Sequence, residues 1–250
     1  MKRFFALLLA VLIPVVAFAD PLPLVDDLTE TISVLYDESD PSAGRYEYTY
    51  RYPYADPEDP TAYLVNTFFE YLIRDTKVYT VPNLSEYYAG LWLSVSVDIS
   101  YEVMCNNDEY FSVRIHTLQE EEGENPVEMW DAYTFSRING MPGNTYSLPQ
   151  VLGILDAGES DDWYEERQVG KARDVVCALV WDLIVRNPNN IPYYEDLAEE
   201  DLDTIFDPEL DFWLDDAGNP VFFIVPGQAA DFDAGLLVFP LTLEEIDDEL

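Results

Sequence analysis

The sequence predicts an α+β fold, an antiparallel sheet of hairpins with helices packed on one face. Three observations predict it. Residues 45–52 and 91–104 alternate apolar and polar side chains, the period of a half-buried strand. Residues 61–75 and the stretch from Ser160 repeat apolar residues at helical spacing. The segments run strand, helix, strands, helices, strands, with turn residues between them and no internal repeat.

Each element has its own signal. Lys2 and Arg3 precede an apolar run from Phe4 to Phe18, and Ala17-Phe18-Ala19 has the form of a cleavage site. Residues 1–19 are therefore expected to be a secretory signal peptide, because the run falls short of the ~20 residues a spanning helix needs. Residues 20–44 read as an acidic lead-in with a short strand at 32–36. In the next strand Tyr46, Tyr48, Tyr50 and Tyr52 share one face. Such a ladder fits a half-buried pleated surface better than a sugar-stacking platform. Asp59 and Pro60 open the helix 61–75, whose stripe of Leu64, Val65, Phe68, Phe69, Leu72 and Ile73 is the natural partner of the tyrosines.

A strand at 91–104 turns at Asn106-Asn107-Asp108 and returns at 110–118. Residues 119–127 read as a polar loop and 129–136 as a third strand. Ser147 opens a short helix, and Ser160 caps the longest one, which Pro188 stops. A shorter acidic helix is expected at 193–206. Residues 210–214 and 221–225 flank an Asp-Asp-Ala-Gly-Asn turn as a hairpin. A last strand at 236–239 and a helical turn at 243–246 close the chain. No long linker divides it, and a subdomain boundary is conceivable near Tyr88.

Charge narrows the function classes. The 250 residues hold 12 Lys+Arg against 50 Asp+Glu, a formal charge of −38. That excludes nucleic acid and anionic membranes as partners, since both need a basic footprint. A chain that is 48% hydrophobic and 14% aromatic is too apolar for a disordered acidic tail. The acids sit in turns, helix starts and outward faces, so they read as the surface of a folded domain.

Export gives the cysteines two readings. Cys105 and Cys177 are an even pair, and one disulfide closing about 70 residues would contribute about 4 kcal/mol. The other reading is two separate buried thiols.

Catalytic and metal chemistry find little support. His116 is the one histidine, on the outer face of its strand beside Arg114, and no Gly-x-Ser-x-Gly elbow or other nucleophile turn appears, so it reads as a surface or rim histidine, and one histidine cannot build a histidine-rich metal site. No metal site is expected. Asp196, Glu199, Glu200, Asp201 and Asp203 cluster, as do Asp56, Glu58 and Asp59, without the spacing of a calcium loop. No Gly-rich loop has a phosphate-binding context, and no cofactor is expected.

The motifs in chain order resemble a known family. A Tyr-rich strand ends in Arg51-Tyr52-Pro53, and a helix carrying Asn66 follows. Tyr133-Thr134-Phe135, a turn at Gly140 and Ser147-Leu148 come after the hairpin. Phe206, Asp211-Phe212-Trp213-Leu214-Asp215, Val221-Phe222-Phe223-Ile224 and Ala234-Gly235-Leu236 close the pattern. This is similar to the extracellular region shared by RsiV-type anti-sigma factors and PdaC-type peptidoglycan deacetylases, here over residues 45–250. Two departures stand out. Glu120-Glu121-Glu122-Gly123-Glu124 occupies the place of the family's Gly-Gly-Ala-His segment, and Gln228 to Asp233 replaces its Tyr- and Pro-rich closing loop.

The resemblance implies a secreted, non-catalytic binding protein whose ligand is lysozyme or another basic protein. Its first expected contacts are Glu120, Glu121, Glu122 and Glu124 in the 119–127 loop, with Asp231 and Asp233. The alternatives are a cell-wall glycan-binding module using exposed aromatics such as Trp92, Trp130 or Trp163, and a hydrolase with a carboxylate pair.

Overall fold

A computed structural model describes residues 20–155 and 163–250, so the expected signal peptide and the Ser160 cap lie outside the described residues. The fold is α+β. A five-stranded sheet has the order β1 (Leu24–Leu35), β2 (Arg45–Ala55), β3 (Val95–Asn106), β4 (Tyr110–Glu121) and β5 (Val127–Ser136). A second, three-stranded sheet is built from β6 (Phe212–Leu214), β7 (Pro220–Ile224) and β8 (Leu237–Pro240).

Two expectations about the first sheet need correction. The lead-in is not a loop with a short strand. It is the twelve-residue β1, paired antiparallel along most of β2. The sheet is also mixed rather than antiparallel, because β2 and β3 run parallel. The cause is the connection between them. Helix α1 (Ala62–Asp75) continues through a π turn (Thr76–Thr80) into α2 (Val81–Leu91). A helical crossover returns the chain to the end where it started, which a two-residue turn cannot do. Leu91 and Leu93, expected in the strand, belong to the end of α2 and the link after it.

The tyrosine ladder builds the first core. Tyr46, Tyr48, Tyr50 and Tyr52 are buried with Val95, Val97, Ile99, Phe111, Val113 and Phe135 against Val65, Phe69 and Val81 of the crossover. Tyr52 stacks on Phe69 at 5.2 Å between ring centroids. Asn66 fixes α1 to β2: its Oδ1 accepts from Ala55 N and its Nδ2 donates to Ala55 O, both at 2.9 Å.

The second core lies around α4 (Trp163–Arg186). Val176, Val180 and Ile184 pack with Phe212, Leu214, Phe222, Ile224, Leu237 and Phe239, and with Ile246 of α6 (Leu243–Glu249). The long acidic helix expected at 193–206 is absent. That stretch makes an isolated bridge at Tyr193, a 3-10 turn at Glu199–Asp201 and the short α5 (Leu202–Ile205). Six acids in fourteen residues, with no basic neighbour among them, weaken a helix through like-charge i,i+4 pairs. The capping helix at Ser147 is α3 (Leu148–Val151), closed by a Ser147–Gln150 capping box.

A β-bulge between Val103 and Cys105 links the cores. It turns Cys105 from the first core face to the second, where Cys177 also lies. The two are free thiols in this structure. They pack as small apolar side chains, and burial pushes each thiol up to about 11. On the face opposite the tyrosines, buried Ser112 shares a 2.8 Å hydrogen bond with Thr134, and Leu214 N donates to its Oγ. The second sheet thus docks on the back of the first at this end, which the one-face packing expectation did not include.

Candidate functional site

The strand register assembles an acidic row that sequence spacing does not show. Glu47 sits opposite Ser96, and Ser96 opposite Glu120, so three strands place these side chains side by side on the outer face. Glu122 N donates to Ser94 O at 3.0 Å and closes the end of the row. The result is a shallow cleft of about 470 Å³ lined by Arg45, Glu47, Ser94, Ser96, Glu120 and Glu122 among others. Arg45 pairs with Glu47 at 3.5 Å, one cation against three outward carboxylates.

The other expected contacts fall differently. Glu120 and Glu121 lie on β4 rather than in a loop. Glu121 lines the cleft but is also engaged inward, accepting from Tyr88 Oη at 2.9 Å and Gln119 Nε2 at 2.6 Å. Glu124 is exposed in the turn that follows. Asp231 precedes the 3-10 turn Phe232–Ala234 and Asp233 lies within it, and the cleft includes neither. Glu47 and Arg45 were missed because only pairing across β3 brings them to Glu120.

His116 lies on the outer face as expected, in a packed knot. Its ring stacks on Trp130 at 4.1 Å, and the Arg114 guanidinium sits between Trp130 and Trp213 at 4.9 and 5.0 Å. Arg114 also pairs with Glu102 at 2.5 Å. The Nε atoms of Arg114, His116 (Nε2) and Trp130 (Nε1) are buried without hydrogen-bond partners. Trp130 is therefore committed to this junction rather than offered to a sugar. Trp163 opens α4, and its side chain lies outside the described ones. Trp92, at the end of α2, is exposed.

The carboxylate pair nearest to a hydrolytic arrangement is Asp131 and Asp211. Both line a cavity of about 180 Å³ beside the β5 edge, with Tyr133, Thr134, Thr145 and Tyr146. Burial raises both carboxyls, and the charges of Asp207 and Asp131 raise Asp211 further. Asp131 keeps an exposed surface, so half-buried Asp211 is the stronger case. The acids considered for calcium cap turns instead: Asp56 accepts from Glu58 N, Asp59 from Thr61, and Asp201 from Ala198 N. Among the described residues no three His, Cys, Asp or Glu are grouped to hold a metal ion, and no helix is long and apolar enough to cross a membrane.

This architecture has solved counterparts. The fold is that of DUF3298-family structures. One, from Bacteroides fragilis NCTC 9343, is 13% identical and superposes with a TM-score of 0.56 over 92% of this chain and 94% of its own. Another, from Pseudomonas aeruginosa PAO1, is 12% identical with a TM-score of 0.50 over 91% and 94%. No family profile matches the chain, and no curated protein matches it. The likeness spans both sheets and both cores.

Proposed function

We propose that this is an exported, non-catalytic binding protein of the RsiV extracellular type, and that it takes a basic protein such as lysozyme on the Glu47–Glu120–Glu122 cleft. The carrying observation is the cross-strand row itself, which concentrates three carboxylates on one open face of a −38 chain. The fold supports the same reading, since DUF3298 is the domain found in RsiV- and PdaC-like proteins. A field of this sign speeds encounter with a cationic partner, and the cleft supplies short-range contacts once screening has removed the long-range part.

Titration of the mature domain with lysozyme at about 150 mM and about 500 mM salt tests the reading. Saturable binding that weakens at the higher salt is expected. The exposed pair Glu120→Lys and Glu122→Lys should weaken it about tenfold or more with the fold intact. Absence of saturable binding at the lower salt removes the proposal. Export is checked separately: the secreted product should begin at Asp20.

A further inference from the structure

The two edges of the first sheet are guarded differently. β1 carries a bulge between Leu24 and Asp26, and its Asp27 and Glu30 are already paired with Arg51 and Lys77. Bulges and charged side chains keep an edge from recruiting another strand. β5, the other edge, holds an unbroken register with β4 from Val127 to Ser136. Its outer stretch, residues 127–132, contains no Pro, Gly or Lys.

The chain itself closes half of the β5 edge. Thr134 O accepts from Tyr146 N at 2.6 Å, and Ser136 O accepts from Gly140 N at 3.1 Å. Along an antiparallel strand, residues turn both backbone groups to one side and then the other in alternation. Glu128, Trp130 and Ala132 therefore face the same free side as Thr134 and Ser136. Among the described residues their N–H and C=O groups have no backbone partner on that side. Val127 and Met129 flank the row, 43% and 42% exposed, with Asp131 on their face and Glu128 on the other. Among the described residues neither acid has a Lys or Arg partner, and Glu128 lies 3.4 Å from His116.

We infer that this open edge takes an extended, cationic segment of another protein as an added strand. A row of alternating free N–H and C=O groups is matched, group for group, by another extended backbone. Charge selects which one. A second copy would bring its own Glu128 and Asp131, and a large negative charge, to the same line. A segment with Lys or Arg opposite Glu128 and Asp131 gains cross-strand ion pairs, and apolar residues opposite Val127 and Met129 cover those side chains. The added strand stops where Tyr146 already occupies Thr134. The site is separate from the Glu47–Glu120–Glu122 cleft, which lies across β2, β3 and β4, and it does not depend on lysozyme binding there.

Fluorescence anisotropy of a labelled peptide, Ser-Thr-Lys-Thr-Val-Lys-Val-Ser with blocked ends, against the full mature chain tests this. Saturable binding is expected at about 150 mM salt. The same peptide N-methylated at every amide keeps its charge but has no N–H to donate, and it should bind about tenfold or more weaker. Hydrogen exchange at the Glu128, Trp130 and Ala132 amides should slow when the unmethylated peptide is added. Ala132→Pro removes one outward N–H at an edge position, where proline is tolerated, and Glu128→Gln/Asp131→Asn removes the charges. Each variant should weaken binding about tenfold while keeping a cooperative thermal transition. No saturable binding, equal binding of the methylated peptide, unchanged exchange at those amides, or a homodimer joined through β5 overturns the inference. The Glu120→Lys/Glu122→Lys variant should bind the peptide within about threefold of wild type, so this test and the lysozyme test fail independently.

Discussion

At the scale of single residues, Asn66 shows how one side chain sets an element's place. Its amide satisfies both backbone groups of Ala55 while buried at 7% exposure. Leu at this position keeps the volume and leaves a buried N–H and C=O without partners, at a cost of about 1–3 kcal/mol. Asn66→Leu should lower the urea midpoint accordingly, and an unchanged midpoint would mean that the α1–β2 clamp contributes nothing. The cysteines make the opposite case, of polar chemistry switched off by packing. With both thiols pushed up to about 11 and neither joined to the other, reductant should leave the melting temperature unchanged. A reductant-dependent drop of several degrees would instead reveal a bridge.

Elements were legible where one face of one segment carries the signal. The tyrosine ladder, the α1 stripe, the β3–β4 hairpin and the β6–β7 hairpin were all readable, because a half-buried strand or helix writes its period into its own residues. The parallel β2–β3 pair was not readable, since pairing direction depends on where a crossover returns. Nor was β1, an edge strand whose residues are mostly half-buried or exposed and hardly differ in pattern from an acidic loop. The acidic row was half readable: Glu120 and Glu122 stand out as a charge run, whereas Glu47 joins them only through register. β1 matters beyond description. It covers one edge of β2, its Leu28, Ile32 and Val34 pack on the first core, and Asp27 and Glu30 pair with Arg51 and Lys77. A chain that starts at Arg45, the expected domain boundary, exposes a long Tyr-rich edge strand. It should be insoluble or melt far below the mature chain in a thermal scan, and equal stability would show that β1 is an accessory.

For the whole molecule, carboxylates of opposite kinds decide the response to pH. Asp27 is held below the usual range by the hydrogen bond from Tyr101 and by Arg51, and Glu30 by Lys77 and Tyr50. Their contribution is present above the unfolded pKa and is lost as pH falls through the folded one. Asp211 works the other way. Burial first, then the charges of Asp207 and Asp131, raise its carboxyl. The folded state then holds more protons than the unfolded chain, so stability falls as pH rises from the unfolded pKa, about 3.9, through the raised folded value. The penalty is complete above the folded value and absent below the unfolded one. Asn is the diagnostic replacement, because it removes the charge yet its oxygen can still accept the 2.7 Å bond from Asp207 N. Asp211→Asn should therefore raise the melting temperature at about pH 7 and leave it unchanged at about pH 3. A lowered melting temperature at neutral pH would show that the carboxylate is stabilised by a contact this structure does not contain, and would reopen the Asp131–Asp211 cavity as a site where charge is used.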